Sequence, residues 1–192
     1  TPFYPFLVAL FGLPGWSLET AARVCSLAFS LLLFVAVLRI GLRIAGPWAT
    51  VAGLVLLSLN PVLARLAPAI LTEPSYVATV YLGLWLFWRQ YERPRWRGAA
   101  VVGMVFGLAF LNRVEALLFL PAIPLFQAVH YWASGPRRYG GRQLAGWVAA
   151  FVAGFVLLAG PQVGWASWRM DRPAFNGRQV WEEIEVKIQA NE

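Results

Sequence analysis

Long apolar runs, each ended by a short polar stretch, limit most strongly what this sequence can fold into. Between Arg142 and Arg169, for example, no side chain is charged. A helix needs roughly 20 predominantly apolar residues to cross a bilayer. Of the 192 residues, 59% are hydrophobic and only 13% are charged, about half the charged share of a soluble domain. The sequence therefore predicts an all-α polytopic membrane protein.

The breaks between the runs predict about six transmembrane helices, preceded by a short interfacial helix that ends before Gly12. Ser17 is predicted to cap the first span, and Pro47 to take the first position of the second. Pro121 and Pro124 predict a kink in the fifth span. The predicted spans are residues 17–44, 47–59, 72–89, 98–111, 114–132 and 143–165.

Basic residues predict the orientation of these spans, because arginine-rich loops face the cytoplasm. With six spans, the N-terminus and the end of the sixth span then lie on the extracytoplasmic side. Residues 1–165 are the predicted transmembrane core, and residues 166–192 the predicted start of an extracytoplasmic segment. The net charge of +7 is explained as a topology signal, so nucleic-acid binding is not expected. The basic residues concerned are Arg39, Arg43, Arg89, Arg93, Arg95, Arg97, Arg137, Arg138 and Arg142.

The single cysteine and the single histidine do not predict a metal or catalytic centre. Cys25 falls inside an apolar helix and has no second cysteine to pair with, so we expect it to be a small core residue. His130 lies at the arginine-rich end of a span without a second ligand at metal spacing, and we expect an interfacial position. The chain starts at Thr1 rather than at methionine, and we expect it to be a fragment of a longer protein.

Four charged side chains interrupt the apolar runs where charge is costly, at roughly 2.5–3.5 kcal/mol each at mid-bilayer. Arg65 and Glu73 fall between the second and third spans, and Arg113 and Glu115 between the fourth and fifth. The predicted topology puts both pairs on the outer face. They therefore predict a site there for an anionic ligand or a metal ion.

Helix capping is a competing interpretation of the two glutamates. Thr72 and Glu73 are typical of a helix start, with the carboxylate near the positive end of the helix dipole. Asn112 as the cap of the fifth span, with Glu115 as its capping-box partner, would explain the second pair. Arg113 in the first turn would oppose the dipole unless it met an anion such as phosphate. The alternative for Arg113 is snorkelling to the membrane interface.

An ordered series of motifs resembles the membrane core of bacterial glycosyltransferases of the GT-C superfamily. These enzymes are similar to the protein O-mannosyltransferases and the lipid A aminoarabinose transferases. The resemblance covers roughly residues 1–168. The ordered set of motifs is stronger evidence than any single motif. The motifs are Tyr4–Leu7, Glu19–Arg23, Leu59–Pro61, Leu71–Pro74 and Gly107–Glu115.

This resemblance implies transfer of a sugar from a polyprenyl-phosphate carrier to an acceptor on the outer face of a bacterial cytoplasmic (inner) membrane. It implies that Arg65 and Arg113 contact the carrier phosphate, and that Glu73 holds a divalent metal ion or positions the acceptor. Glu115 matches the acidic residue of the family's Thr-Arg-Pro-Glu pattern, in which Thr and Pro are replaced here by Asn112 and Val114.

The same resemblance assigns the general base to an aspartate in the first outer loop, which would precede Thr1. Asp171 is the only aspartate here and does not match that position. We therefore expect no catalytic residue in this chain, an inactive 192-residue fragment, and an inverting transferase as the full-length protein. Two other classes stay open: a transporter or channel subunit, whose charged pairs would line a path, and a noncatalytic membrane scaffold.

Overall fold

The computed structural model describes residues 3–12, 15–59, 61, 73–91, 95–134 and 140–170. This part of the chain contains seven α-helices and one 3-10 helix, and no strand. It confirms the predicted all-α class. The α-helices are α1 (Phe3–Gly12), α2 (Leu18–Ile44), α3 (Gly46–Ser58), α4 (Glu73–Gln90), α5 (Trp96–Asn112), α6 (Phe119–Ser134) and α7 (Gly141–Met170), and the 3-10 helix is Val114–Leu118.

The predicted spans correspond in order to α2 through α7, with the 3-10 helix and α6 together forming the fifth. Three described stretches are long and apolar enough to cross a membrane, namely Leu18–Ile44, Val114–Ala133 and Gly141–Trp168. α1, α3 and α5 are apolar but shorter. Helix α7 continues to Met170, past its predicted end, and residues 171–192 lie outside the described residues.

Local sequence signals account for the boundaries of the first spans. The Ser17 hydroxyl accepts a hydrogen bond from the Thr20 backbone N–H at 3.2 Å, and so caps α2 as predicted. Pro47 lies in the first turn of α3, where its fixed φ suits a helix start. Gly46, the first residue of α3, has a φ of +78°, a conformation that glycine adopts without a steric penalty.

Helices α2 and α4 end on the same side of the bundle. The Arg43 guanidinium, near the end of α2, donates to the Trp88 carbonyl, near the end of α4, at 3.4 Å. Helix α5 returns antiparallel to α4, since Ser75 at the start of α4 bonds Asn112 at the end of α5. We call the side with Arg43 and Trp88 the arginine end, and the side with Ser75 and Asn112 the site end.

The core of the bundle is the contact between α5 and α7, which run parallel. A Cβ on Gly103 would clash with the Phe151 carbonyl oxygen, and one on Gly154 would clash with the Ala100 carbonyl oxygen. The two backbones are therefore in direct contact, as is common where small residues line a helix pair in a membrane. Phe106, Phe151 and Trp147 fill the space beside these glycines and are buried.

Three single residues test the sequence expectations directly. Cys25 is fully buried, as predicted for a core residue. His130 is half-buried, and its ring lies 3.9 Å from the Tyr91 ring between centroids. Tyr4, in the helix predicted to be interfacial, is instead buried and shares a 3.2 Å hydrogen bond with Ser26 of α2. The hydroxyl of a buried tyrosine needs such a partner, and this bond ties α1 to α2.

Candidate functional site

Three of the four charged residues singled out from the sequence meet at the site end. Glu73 is the first residue of α4, Arg113 follows the last residue of α5, and Glu115 lies in the 3-10 helix. Arg65, together with Thr72 as a possible cap, falls outside the described residues. The site is therefore built where three helix ends converge.

Arg113 joins the two glutamates into one cluster. Its Nη1 donates to Glu73 Oε1 at 3.2 Å, and its Nη2 donates to Glu115 Oε1 at 3.1 Å. The guanidinium carbon also lies 5.7 Å from the centre of the Tyr76 ring, within the range of a cation–π interaction. The side chain of Arg113 stays 37% exposed. Three contacts thus orient a guanidinium that solvent and ligands can still reach.

The backbone of Arg113 is a joint between two helices. Its φ of −149° and ψ of 135° are extended, so the chain leaves the helical path there. The Arg113 N–H donates to the Ala109 carbonyl at 2.9 Å, and its carbonyl accepts from the Ala116 N–H at 3.1 Å. Arg113 is therefore both the C-cap residue of α5 and the N-cap residue of the 3-10 helix.

The prediction that Asn112 caps the fifth span is wrong. Asn112 is the last residue of α5 and is 1% exposed. Its Oδ1 accepts a hydrogen bond from the Ser75 hydroxyl at 3.0 Å, and its Nδ2 donates to the Leu108 carbonyl at 3.3 Å. Both ends of the amide are used inside the bundle, so the side chain holds α4 to α5 instead of capping the next helix.

This geometry also changes the dipole argument for Arg113. A cation at the start of a helix is unfavourable, but Arg113 lies at the C-terminal end of α5, where the helix dipole favours positive charge. The negative ends of the peptide dipoles and the two carboxylates together explain why an arginine is stable at this position. A bound anion is not needed to explain it.

The electrostatics of the cluster are unbalanced. Two carboxylates face one guanidinium, and Glu73 Oε2 is buried without a hydrogen-bond partner among the described residues. Burying a carboxylate oxygen without a partner is costly, so this atom marks a place where a further positive or hydrogen-bonding group fits.

A divalent metal at Glu73 stays a prediction. Within the described residues, no group of three or more His, Cys, Asp or Glu side chains is close enough to hold a metal ion. Glu73 Oε2 is available as one oxygen ligand, whereas Mg²⁺ or Ca²⁺ takes about six or more. The remaining ligands of such a site would have to come from outside the described residues.

Sequence reasoning missed the neighbours that hold the cluster in place. Ser75 and Tyr76 follow Glu73 within one helical turn, and both reach the end of α5: Ser75 bonds Asn112, and Tyr76 packs against the Arg113 guanidinium. The sequence signal for these neighbours was a polar residue and an aromatic residue directly after the glutamate that starts a helix. The partner of each is more than thirty residues away along the chain.

The family model described as dolichyl-phosphate-mannose-protein mannosyltransferase matches residues 1–165. This range includes all the described residues of the Glu73–Arg113–Glu115 cluster and the whole of the predicted transmembrane core. Neither a curated protein nor a solved structure is similar enough to the chain to count as a match.

Proposed function

The chain belongs to the dolichyl-phosphate-mannose-protein mannosyltransferase family, and from this premise we propose that it handles a polyprenyl-phosphate-linked sugar at the site end. Membership makes it a membrane glycosyltransferase of mannosyltransferase-like type. The proposal adds the carrier phosphate as the group recognised by the Glu73–Arg113–Glu115 cluster, and the extracytoplasmic face of a bacterial cytoplasmic membrane as the place of transfer.

The position of the Arg113 guanidinium supports the proposal. A guanidinium carries more N–H donors than the two that Arg113 gives to Glu73 and Glu115, and planar forks of this kind bind phosphate oxygens in pairs. The side chain is exposed enough for a ligand to reach it and is held in place from three sides. Transfer needs charge stabilisation on the leaving phosphate, and a fixed cation supplies it without reorganisation.

Glu115 and Glu73 take different parts in this scheme. The Glu115 side chain is 50% exposed, whereas that of Glu73 is 39% exposed and has one oxygen buried. We propose that the carrier phosphate replaces Glu115 at Nη2 while Glu73 keeps the guanidinium oriented. Glu115 then turns toward solvent, which its half-exposed position allows.

The proton-transfer half of the reaction is assigned to no described residue. The family resemblance assigns deprotonation of the acceptor to an aspartate, and the described residues contain no aspartate. Arg65 remains a proposed second contact to the carrier phosphate. The described residues contain no feature that favours a transporter or a scaffold over this assignment.

Binding of a short-chain polyprenyl phosphate to the purified chain in detergent tests the proposal. Arg113→Gln removes the charged donor, and charge-assisted hydrogen bonds are worth about 1.5–3 kcal/mol, so we expect binding to weaken roughly 10- to 100-fold. Arg23→Gln is the matched control, because Arg23 is an exposed arginine that pairs with Glu19 within α2 and has no ion pair with Glu73 or Glu115. Equal affinities of the two variants would refute the role of Arg113.

A further inference from the structure

A basic, open surface lies at the arginine end, on the side of the bundle opposite the Glu73–Arg113–Glu115 cluster. One cavity of about 690 Å³ opens between the start of α5 and the start of α7. Three of its six lining residues are arginines, and no lining residue is acidic. The lining residues are Arg95, Trp96, Arg97, Arg142, Gln143 and Gly146.

A second cavity of about 510 Å³ adjoins the first, between the end of α4 and the start of α5. Arg95 and Arg97 line both cavities, so the two form one continuous basic region. Below the arginines the wall becomes apolar. The lining residues of this second cavity are Leu86, Arg89, Gln90, Arg95, Arg97, Gly98 and Val101.

The positive charge of this region is not neutralised within the described residues. The three ion pairs among them lie elsewhere and involve Arg23 and Arg113. Arg89, Arg95, Arg97 and Arg142 thus face shared cavities without a described carboxylate beside them. Like charges held close together repel one another, and an anion between them removes that repulsion.

Two further side chains indicate what kind of anion fits. Both amide atoms of Gln90 are buried without a hydrogen-bond partner among the described residues, and Gln90 lines the second cavity. Trp96 is 63% exposed, and the Arg97 guanidinium lies 5.1 Å above its ring. Exposed tryptophans at helix ends lie at the level of lipid headgroups, so the basic region is at headgroup depth.

We propose that these two cavities form a binding site for the phosphate headgroup of an anionic glycerophospholipid from the surrounding bilayer. Arg95 and Arg97 contact the phosphate from between the cavities, with Arg89 and Arg142 on either side. Gln90 supplies an amide to the polar part of the headgroup, and one acyl chain follows the apolar wall at Leu86 and Val101.

The apolar wall distinguishes a lipid from a soluble phosphate as the occupant. Val101 is exposed on α5 one turn beyond Arg97, and Leu86 lies one turn before Gln90 on α4. A free phosphate ion gains nothing from these side chains. A lipid gains both the charged contacts and burial of its chain, at about 0.8 kcal/mol for each buried CH₂ group.

Lipid binding by the purified 192-residue chain tests this proposal, with phosphatidylglycerol as the anionic probe and phosphatidylcholine as the neutral one. We expect phosphatidylglycerol to raise the melting temperature in detergent and phosphatidylcholine not to do so. An arginine near a charged membrane surface is worth about a fivefold change in binding. The double variant Arg95→Gln with Arg142→Gln should therefore bind phosphatidylglycerol about 25-fold more weakly.

Arg39→Gln is the matched control, because Arg39 is an exposed arginine near the end of α2 that lines neither cavity. It should keep the affinity of the unchanged chain, and a loss as large as that of the double variant would overturn the proposal in favour of general surface charge. Stabilisation by inorganic phosphate equal to that by phosphatidylglycerol would overturn the assignment to a lipid. Circular dichroism of each variant checks that the helices are intact.

Discussion

Replacing Gly154 by alanine tests how α5 and α7 are held together. The new methyl group would clash with the Ala100 carbonyl oxygen, because carbon–oxygen contacts are normally about 3.3–3.6 Å. The obstacle is backbone and not the end of a flexible side chain. The two helices must therefore move apart locally to admit the methyl group.

The expected cost follows from two opposing effects. Overpacking of a close contact costs about 1–3 kcal/mol, and alanine recovers roughly 0.5–1 kcal/mol over glycine inside a helix. We expect Gly154→Ala to lower the free energy of unfolding by about 1 kcal/mol net, and by at most about 2.5 kcal/mol. Gly164→Ala lies in the same helix with no atom within 4 Å of the added carbon, so it should be neutral or slightly stabilising.

Titration of the micellar protein with dodecyl sulfate, followed by tryptophan fluorescence, measures this difference. Trp147 is 1% exposed in the same core, so its contribution to the signal of the ten tryptophans changes when the core opens. A second variant, Gly103→Ala, would clash with the Phe151 carbonyl oxygen and should behave like Gly154→Ala. The double variant should lose less free energy of unfolding than the two single variants lose together, because the first methyl group already separates the helices. If Gly154→Ala unfolds at the same point as Gly164→Ala, the backbone contact does not exist.

Asn112→Ala should lower the free energy of unfolding by about 1–3 kcal/mol, because the buried Ser75 hydroxyl loses its acceptor on α5. Tyr4→Phe should cost about 1 kcal/mol by removing the bond to Ser26. Glu115→Gln should cost less than about 1 kcal/mol, since this ion pair is half-exposed, and raising the salt concentration should remove the difference. The same titration measures all three, and a larger loss for Glu115→Gln than for Asn112→Ala would contradict the burial-based ranking.

The course of the helices could be predicted because their signals are local. Ser17 caps the backbone three residues away, and Pro47 fixes its own φ at the start of α3. The arginines that follow the apolar runs indicate one side of the membrane, and each loop gives this signal independently of the others. Such features depend on a few neighbouring residues and need no knowledge of the fold.

The arrangement of the site could be predicted only in part, because its bonds connect distant segments. The sequence indicated that Glu73 and Arg113 share a face, but not that one Arg113 nitrogen bonds Glu73 and another bonds Glu115. Asn112 was misassigned for the same reason: a local capping rule offered a partner nearby, and the true partner, Ser75, lies on another helix. Asn112 forms the long-range hydrogen bond with Ser75 because its amide is buried and needs a partner there.

The parallel pairing of α5 with α7 has a consequence for synthesis. Ribosomes produce α5 first, and its glycine face has no partner until α6 and most of α7 have followed. During that interval Gly103 faces lipid or the insertion machinery, and the bundle cannot close in the order in which its helices emerge. A stall or truncation between residues 112 and 141 would therefore leave an inserted intermediate in which the glycine face of α5 is unpaired. Another membrane protein could bind this face, or quality-control proteases could degrade the intermediate.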